Sequence, residues 1–448
     1  MHRSDRDVTF EDYLRGLALP RERLAEVRDS FERDHYLWEH RWRRDEVLGY
    51  VESDYEAHPA GSRGVAGGSW PYGGIDGSGT VTRIASNGAR ASFMYADSRA
   101  RINTYGDSFT HGDQVNDGET WQEYLAAHLR EPIRNFGTGG HGVYQAYRRM
   151  LREEVGDDSA EYVIIQIFGD DSTRSLYRGR HPTGMTLAAS SLLVGKAYPI
   201  LNTESGLFEE RDNPLSTAES LDGLVDPDRV VRENRDDLAL QLGLYEQGLI
   251  GELDRERIDR LSRLLDFEFD WDSPGRYAAL STALLNRYAN RASIYVLDKA
   301  QEFVRSQGKR LMVILNDPFG AFHQILDGQP RHDGEILAHL QAEGFDYVDV
   351  TDAHARDFGD FAVDLAAYRA RYFVAGNGHY SPAGNHFFAF VIKNKVVEWL
   401  RPRPSTYLQG ITETRSSDDY LFNGQQRPEG HPGGGSGQGG SVPSGRTK

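Results

Sequence analysis

The sequence predicts an α/β fold built on a parallel sheet with helices on both faces. Short apolar runs suited to buried strands recur at 101–105, 132–136, 162–168, 310–315 and 345–350. Helix-compatible stretches lie between them, at 121–129, 143–154, 294–307 and 334–344. Strands alternating with helices are the mark of parallel crossover units. Such sheets carry their chemistry at the carboxyl ends of the strands.

Ahead of the first core strand, Leu24, Val27, Phe31 and Trp38 recur at near-helical spacing and predict an N-terminal helix over 21–42. Residues 61–79 are dense in Gly and Ser and read as a loop. From 81 to 95, polar and apolar residues alternate around Ser86-Asn87-Gly88, which predicts a hairpin. Residues 1–98 are thus a lead-in, and the main domain spans 99–402. Between about 173 and 291 the strand–helix rhythm breaks. A stretch rich in Asn, Ser and Asp gives way there to helical segments at 238–247 and 252–265, which together read as a mostly helical insertion. It is large enough to act as a lid or to shape a cleft. Residues 403–448 form a tail, Gly/Ser-rich and expected to be disordered from about 430. No internal repeat is seen.

Bulk properties narrow the function. The 448 residues are 38% hydrophobic and 27% charged, as in soluble globular chains, and long enough for one large core or two. A net charge of -17 repels phosphate backbones, so nucleic acid is not an expected partner. The absence of cysteine excludes disulfides, thiolate zinc sites and a cysteine nucleophile. No run approaches the ~18 apolar residues of a membrane span, so no membrane partner is expected. The charged N-terminus lacks the apolar run of a secretory signal, giving an expected cytoplasmic location.

Four segments carry candidate chemistry. The strand Ile102-Asn103-Thr104-Tyr105 runs into Gly106-Asp107-Ser108, followed by a helix-compatible stretch. A serine there can present its hydroxyl to solvent and its N–H to an oxyanion, although Gly, Asp and Ser are also ordinary turn residues. Asn135-Phe136-Gly137-Thr138-Gly139-Gly140-His141-Gly142 ends the next strand. Its glycines let backbone N–H groups approach a ligand, or simply make a βα connection. No Gly-Lys-Ser/Thr follows, which disfavours a phosphate loop. The strand 163–168 ends in Gly169-Asp170-Asp171, two adjacent carboxylates suited to helix capping and turns. Finally, Asn377-Gly378-His379-Tyr380-Ser381-Pro382 places a histidine just ahead of a helix, with Ser381 as its cap and Pro382 at its first position.

In this order, Gly-Asp-Ser, Asn-Phe-Gly with a glycine cluster, Gly-Asp-Asp and Gly-His-Tyr-Ser-Pro-Ala-Gly-Asn, the blocks resemble those of bacterial-type SGNH/GDSL hydrolases. Glu119-Thr120-Trp121 and Gly140-His141-Gly142-Val143-Tyr144-Gln145 agree, and Leu48-Gly49-Tyr50 with the hairpin resembles the lead-in of some members. The resemblance covers about 102–400 apart from the insertion. It implies a flavodoxin-like three-layer α/β/α sandwich around a central parallel sheet. It also implies Ser108 as nucleophile, His379 as base, and the N–H groups of Ser108 and Gly140 as oxyanion donors. No cofactor or metal is called for.

Two positions depart from the family pattern. The family's third oxyanion donor, an Asn side chain, falls on Asp170. An ionised carboxylate cannot donate, so either Asp170 is protonated, with burial or Asp171 raising its pKa, or it lies aside. Where many members have an acid two or three residues before the histidine, this chain has Gly376 and Asn377. Asn377 can accept from the imidazole and fix its tautomer but cannot offset imidazolium charge. Asp317 and Asp352, at strand ends, are alternative acids. The expected activity is hydrolysis of a short-chain carboxylic ester, on a small-molecule or glycan substrate, through an acyl-serine. Acyl transfer to a sugar or other alcohol would use the same site. A degenerate ligand-binding domain is the reading the two departures favour, and retention of Ser108 with His379 opposes it. A metal hydrolase would use His111, Asp113, His141 and His379, which lack a metal-type spacing. Sequence is silent on oligomeric state.

Overall fold

A computed structural model of the chain describes residues 8–25, 27–28, 42–45, 47–52, 80–179, 195–361, 364–376 and 378–407. The loop expected at 61–79 and the tail beyond 407 lie outside the described residues. The chain opens with helix α1 (Phe10–Gly16), capped by the Thr9 side chain on Asp12 N–H. An antiparallel hairpin follows, β1 (Trp42–Asp45) against β2 (Gly49–Glu52). Trp42 therefore begins a strand, and the helix expected over 21–42 is corrected. Residues 21–25 and 27–28 are helical, and 26 and 29–41 lie outside the described residues. The hairpin expected at 81–95 is reduced to a tight turn, with Gly88 N–H donating to Ala85 O and a single bridge between Ile84 and Arg90. Two more backbone bonds join its arms, Ala85 N–H to Ala89 O and Ala91 N–H to Arg83 O, both at 2.8 Å.

The core then follows as β3 (Ile102–Tyr105), α2 (Ser108–His111), α3 (Trp121–Leu129), β4 (Ile133–Asn135), α4 (Val143–Glu153), β5 (Tyr162–Phe168) and α5 (Asp171–Leu176). The insertion contributes a second hairpin, β6 (Tyr198–Leu201) with β7 (Phe208–Arg211), and helices α6 (Pro227–Asn234), α7 (Leu238–Glu246) and α8 (Arg255–Leu264). Helix α9 (Tyr277–Ser306) returns the chain to β8 (Arg310–Asn316). The remainder is α10 (Gly320–Leu326), α11 (Gly334–Ala342), β9 (Asp346–Asp349), α12 (Val350–Phe361), α13 (Leu365–Tyr372) and α14 (Pro382–Trp399). The last is capped as its sequence predicts, Ser381 Oγ accepting from Gly384 N–H at 3.2 Å.

Among the described residues, β4-β3-β5-β8-β9 pair in that order, all parallel. Because alternate side chains leave a strand on opposite faces, the apolar runs fill two layers. Ile164, Met312 and Ile314 pack with Trp121, Leu125, Phe387 and Phe388 on one face. Val163, Ile165, Val313 and Leu315 pack with Met150, Val296, Leu297 and Ala300 on the other. Helices cover both faces of the sheet, and the fold is α/β.

The boundary expected near 291 is not a boundary. Helix α9 begins at Tyr277, well before the expected 294, and is 30 residues long. Leu280, Leu284, Leu285 and Tyr288 bury into the insertion's own core. Val296, Leu297, Ala300 and Val304 bury beneath the sheet. The segment 277–291 carries the same apolar periodicity as its continuation, and no glycine or proline interrupts it. No helix among the described residues is long and apolar enough to cross a membrane.

Candidate active site

Strand β3 delivers Gly106-Asp107-Ser108 to the carboxyl edge of the sheet. Asp107 caps α2, its Oδ1 accepting from Phe109 N–H at 2.9 Å. Ser108 is the first residue of α2, where the helix leaves N–H groups without an internal acceptor. The Ser108 side of the edge thus carries a hydroxyl and an N–H donor on the same residue.

His379 reaches Ser108 from the far end of the chain. The segment between α13 and α14 folds back on itself: Val374 N–H donates to His379 O at 2.9 Å, and Gly378 N–H to Val374 O at 2.8 Å. A side chain at 378 is excluded, since a Cβ there would lie 2.6 Å from Val374 O and 2.8 Å from Gln114 Oε1. The fold-back sets His379 Nε2 2.8 Å from Ser108 Oγ. Phe109 packs against the imidazole with ring centroids 5.1 Å apart, and Phe168 stacks on Phe109 at 4.0 Å.

The imidazole's other nitrogen meets a residue that sequence reasoning missed. Gln114 Oε1 lies 2.9 Å from His379 Nδ1 and also accepts from His379 N–H at 3.0 Å. A backbone N–H can only donate, so this atom is the amide oxygen, and Nδ1 must carry the proton. Nε2 is then the lone-pair nitrogen facing the serine hydroxyl. Asn377, expected in this accepting role, lies outside the described residues. The signal for Gln114 was its position six residues after Ser108, with no motif to mark it.

Asp317 and Asp352, the alternative acids, are used elsewhere. Asp317 accepts from Phe319, Gly320 and Ala321 N–H at 3.0, 2.8 and 2.6 Å, capping α10. Asp352 is half exposed and pairs with Arg356. The nearby carboxylate is Asp113, with Oδ2 4.0 Å from His379 Nε2 and Oδ1 2.8 Å from His111 Nδ1. Among the described residues no three His, Asp or Glu side chains are grouped to hold a metal ion.

Asp170 is the N-cap residue of α5 and pairs with Arg174, at 2.8 Å from Oδ1 to Nη2 and 3.0 Å from Oδ2 to Nε. Its side chain is 44% exposed. The carboxylate faces the Arg174 guanidinium and accepts from it, and it lines the same cleft as Ser108. The buried carboxyls are its neighbours. Asp107 Oδ2 and Asp171 Oδ1 lie 3.2 and 3.0 Å from Arg174 Nη1. Burial pushes the Asp107 carboxyl up to about 6, with Arg174 working against it. Burial, then the Asp107 charge, raises Asp171 well above the usual carboxylate range.

Gly140, on the β4–α4 connection, has φ +78°, a left-handed conformation that favours glycine. The connection is anchored beneath the site. Asn135 Nδ2 donates to Thr110 O and His111 O at 2.9 and 3.1 Å, and Thr138 N–H donates to Gly106 O at 3.0 Å. A cleft of about 560 Å³ opens over Ser108 and His379, lined also by Phe168, Arg174, Phe319 and Gln324. Asn286, from the insertion half of α9, reaches the same cleft, so the insertion helps to shape it. Comparison with protein-family models and with curated proteins gave no match.

Proposed function

We propose that the chain is a serine ester hydrolase of SGNH/GDSL type that cleaves a short-chain carboxylic ester through an acyl-serine. One observation carries the reading: Ser108 Oγ and His379 Nε2 stand 2.8 Å apart at the carboxyl edge of a parallel sheet, beneath an open cleft. The strand order, with the first core strand between the second and third, is that of flavodoxin-like sheets and supports the same assignment.

In the proposed reaction, Ser108 Oγ attacks the ester carbonyl while its proton passes to His379 Nε2. The carbonyl π pair moves onto oxygen, and the N–H groups of Ser108 and Gly140 receive that charge. The tetrahedral intermediate collapses, the C–O bond to the alcohol breaks, and His379 returns the proton to the leaving oxygen. Water repeats the sequence on the acyl-serine and releases the acid.

The test is hydrolysis of p-nitrophenyl acetate and butyrate by wild type and Ser108→Ala, with fluorophosphonate labelling alongside. Turnover and labelling by wild type, both lost in Ser108→Ala, are expected. Acyl transfer to an added sugar in preference to water would reassign the enzyme as a transferase with the same acyl-serine. A folded wild type that neither turns over nor labels would reject catalysis and leave a binding domain.

A further inference from the structure

In a serine–histidine–acid triad, the acid does two jobs at Nδ1: it fixes the imidazole tautomer and it stabilises the imidazolium that forms during attack. Here the Nδ1 partner is a neutral amide, which performs the first job and not the second. The carboxylate nearest the imidazole is on the opposite side, Asp113 Oδ2 at 4.0 Å from Nε2. Resting on the serine-esterase reading, we infer that the two jobs are split between adjacent residues: Gln114 positions the imidazole through Nδ1, and Asp113 stabilises its charge from the Nε2 side.

The backbone explains how neighbours serve one ring. Consecutive side chains of an extended chain point in opposite directions. Gln114 instead has φ +69°, a left-handed conformation that a non-glycine residue adopts at a cost. The turn it makes brings both side chains to the same imidazole, and both residues are 8% exposed. Asp113 is aimed by two contacts. Its N–H donates to Ser108 O at 3.1 Å, and its Oδ1 takes His111 Nδ1 at 2.8 Å, which leaves Oδ2 toward His379. Backbone strain of this kind is kept where the surroundings enforce it, commonly at functional sites. The surroundings here are Arg90, whose guanidinium donates to His111 O, Gly112 O and Val115 O at 2.9, 2.6 and 2.7 Å.

Other charged groups surround the pair: Asp170, Arg174, Asp317 and His332 line the same cleft, Asp107 Oδ2 accepts from Ser108 Oγ at 3.3 Å, Asp107 and Asp171 pair with Arg174, and His111 pairs with Asp113. They are common to every variant below, so differences report positions 113 and 114.

The experiment is a ¹⁵N-histidine NMR titration of the full chain, with His379 assigned through His379→Gln, alongside pH profiles of p-nitrophenyl acetate hydrolysis. The variants are Asp113→Asn, Gln114→Asn, Gln114→Glu and the double Asp113→Asn/Gln114→Glu. Asparagine at 114 tolerates the left-handed backbone but is too short to reach Nδ1. Asp113→Asn is expected to lower the His379 pKa by about one unit and kcat about tenfold, with KM unchanged. Gln114→Asn is expected to leave that pKa in place, mix the two ring tautomers and lower kcat. The double variant is expected to recover both pKa and kcat, because a carboxylate at Nδ1 restores a conventional triad. An unchanged His379 pKa in Asp113→Asn, or no rescue by Gln114→Glu, overturns the split. Wild type without turnover or fluorophosphonate labelling rejects the esterase reading instead, and the titration still reads the split.

Discussion

At the scale of single residues, the proposed SGNH/GDSL assignment gives Asp170 a measurable meaning. Under that proposal the carboxylate stands where an asparagine donor is expected, and Arg174 holds it at the cleft wall. Asp170→Asn removes a negative charge beside the proposed oxyanion and supplies an N–H₂ donor. One such donor is worth about 2.7–4 kcal/mol where its aim is ideal. Aim is not ideal for a side chain relaxing out of an ion pair, so a rise in kcat of about tenfold is expected in p-nitrophenyl acetate hydrolysis. The pair is part-buried, but Arg174 keeps Asp107 and Asp171 as partners, so a stability loss of about 1 kcal/mol is expected. An unchanged kcat would put position 170 away from the oxyanion. A second residue sets a pH limit on stability. His354 is fully buried, 2.7 Å from Tyr368 OH and 2.6 Å from Tyr380 OH, and burial lowers its pKa to about 3. The unfolded chain protonates this histidine below about 6.5 while the folded chain does not. Stability is therefore lost as pH falls from 6.5 toward 3, by about 2 kcal/mol at pH 5. His354→Phe keeps the ring volume, and Tyr380 OH still donates to Asn316 Oδ1. Urea denaturation at pH 7 and pH 5 should show the difference between the two pH values shrinking by about that amount in the variant.

At the scale of elements, the site depends on a clamp outside the sheet. The Arg90 side chain, 3% exposed in the lead-in, holds three carbonyls of the segment after α2 and reaches Asp117 Oδ1 at 3.2 Å. Its own N–H donates to Asn135 O at 2.8 Å, tying the lead-in to the end of β4. Arg90→Ala strands buried carbonyls and leaves Asp117 with Arg83 as its remaining guanidinium partner. A loss of about 3–5 kcal/mol is expected from urea denaturation, as for other broken buried pairs. Arg90→Lys carries the charge but not the planar fork that spans three carbonyls. It should fold, yet lose turnover, because Gln114 would no longer be held in its left-handed conformation. An Arg90→Lys enzyme of full activity would show that the segment holds itself.

At the scale of the whole molecule, α9 joins two hydrophobic cores in one rigid rod. Its first half packs in the insertion and its second half under the sheet, so neither core can lose its share of the helix without disturbing the other. The insertion and the sheet are expected to unfold together. Trp271 packs against the insertion core, whereas Trp121 and Trp399 lie in the sheet core. Fluorescence of Trp271→Phe and of wild type should therefore give coincident urea transitions. Two separated transitions would show that α9 breaks near its middle and that the insertion is an independent unit.

The sequence by itself determined the layers. Near-continuous apolar runs at 162–168 and 310–315 suit strands buried on both faces, and the helical stretches between the runs supply the cover. Local signals, a glycine-containing turn after a strand and a capped, proline-started helix, made Ser108 and His379 candidates, and the resemblance to SGNH/GDSL hydrolases gave them their expected roles. Local signals reach a few residues, and that is why the rest was hidden. Ser108 and His379, 271 positions apart in sequence, close to 2.8 Å only in the folded chain. Gln114 at Nδ1, Asp113 at the Nε2 side and the Arg90 clamp each depend on contacts between distant segments and on one left-handed backbone angle. The run 277–291 shows the same limit from the other direction. The expectation leaves it in the insertion and begins the helix at 294, whereas packing against two cores makes Tyr277–Ser306 one continuous element.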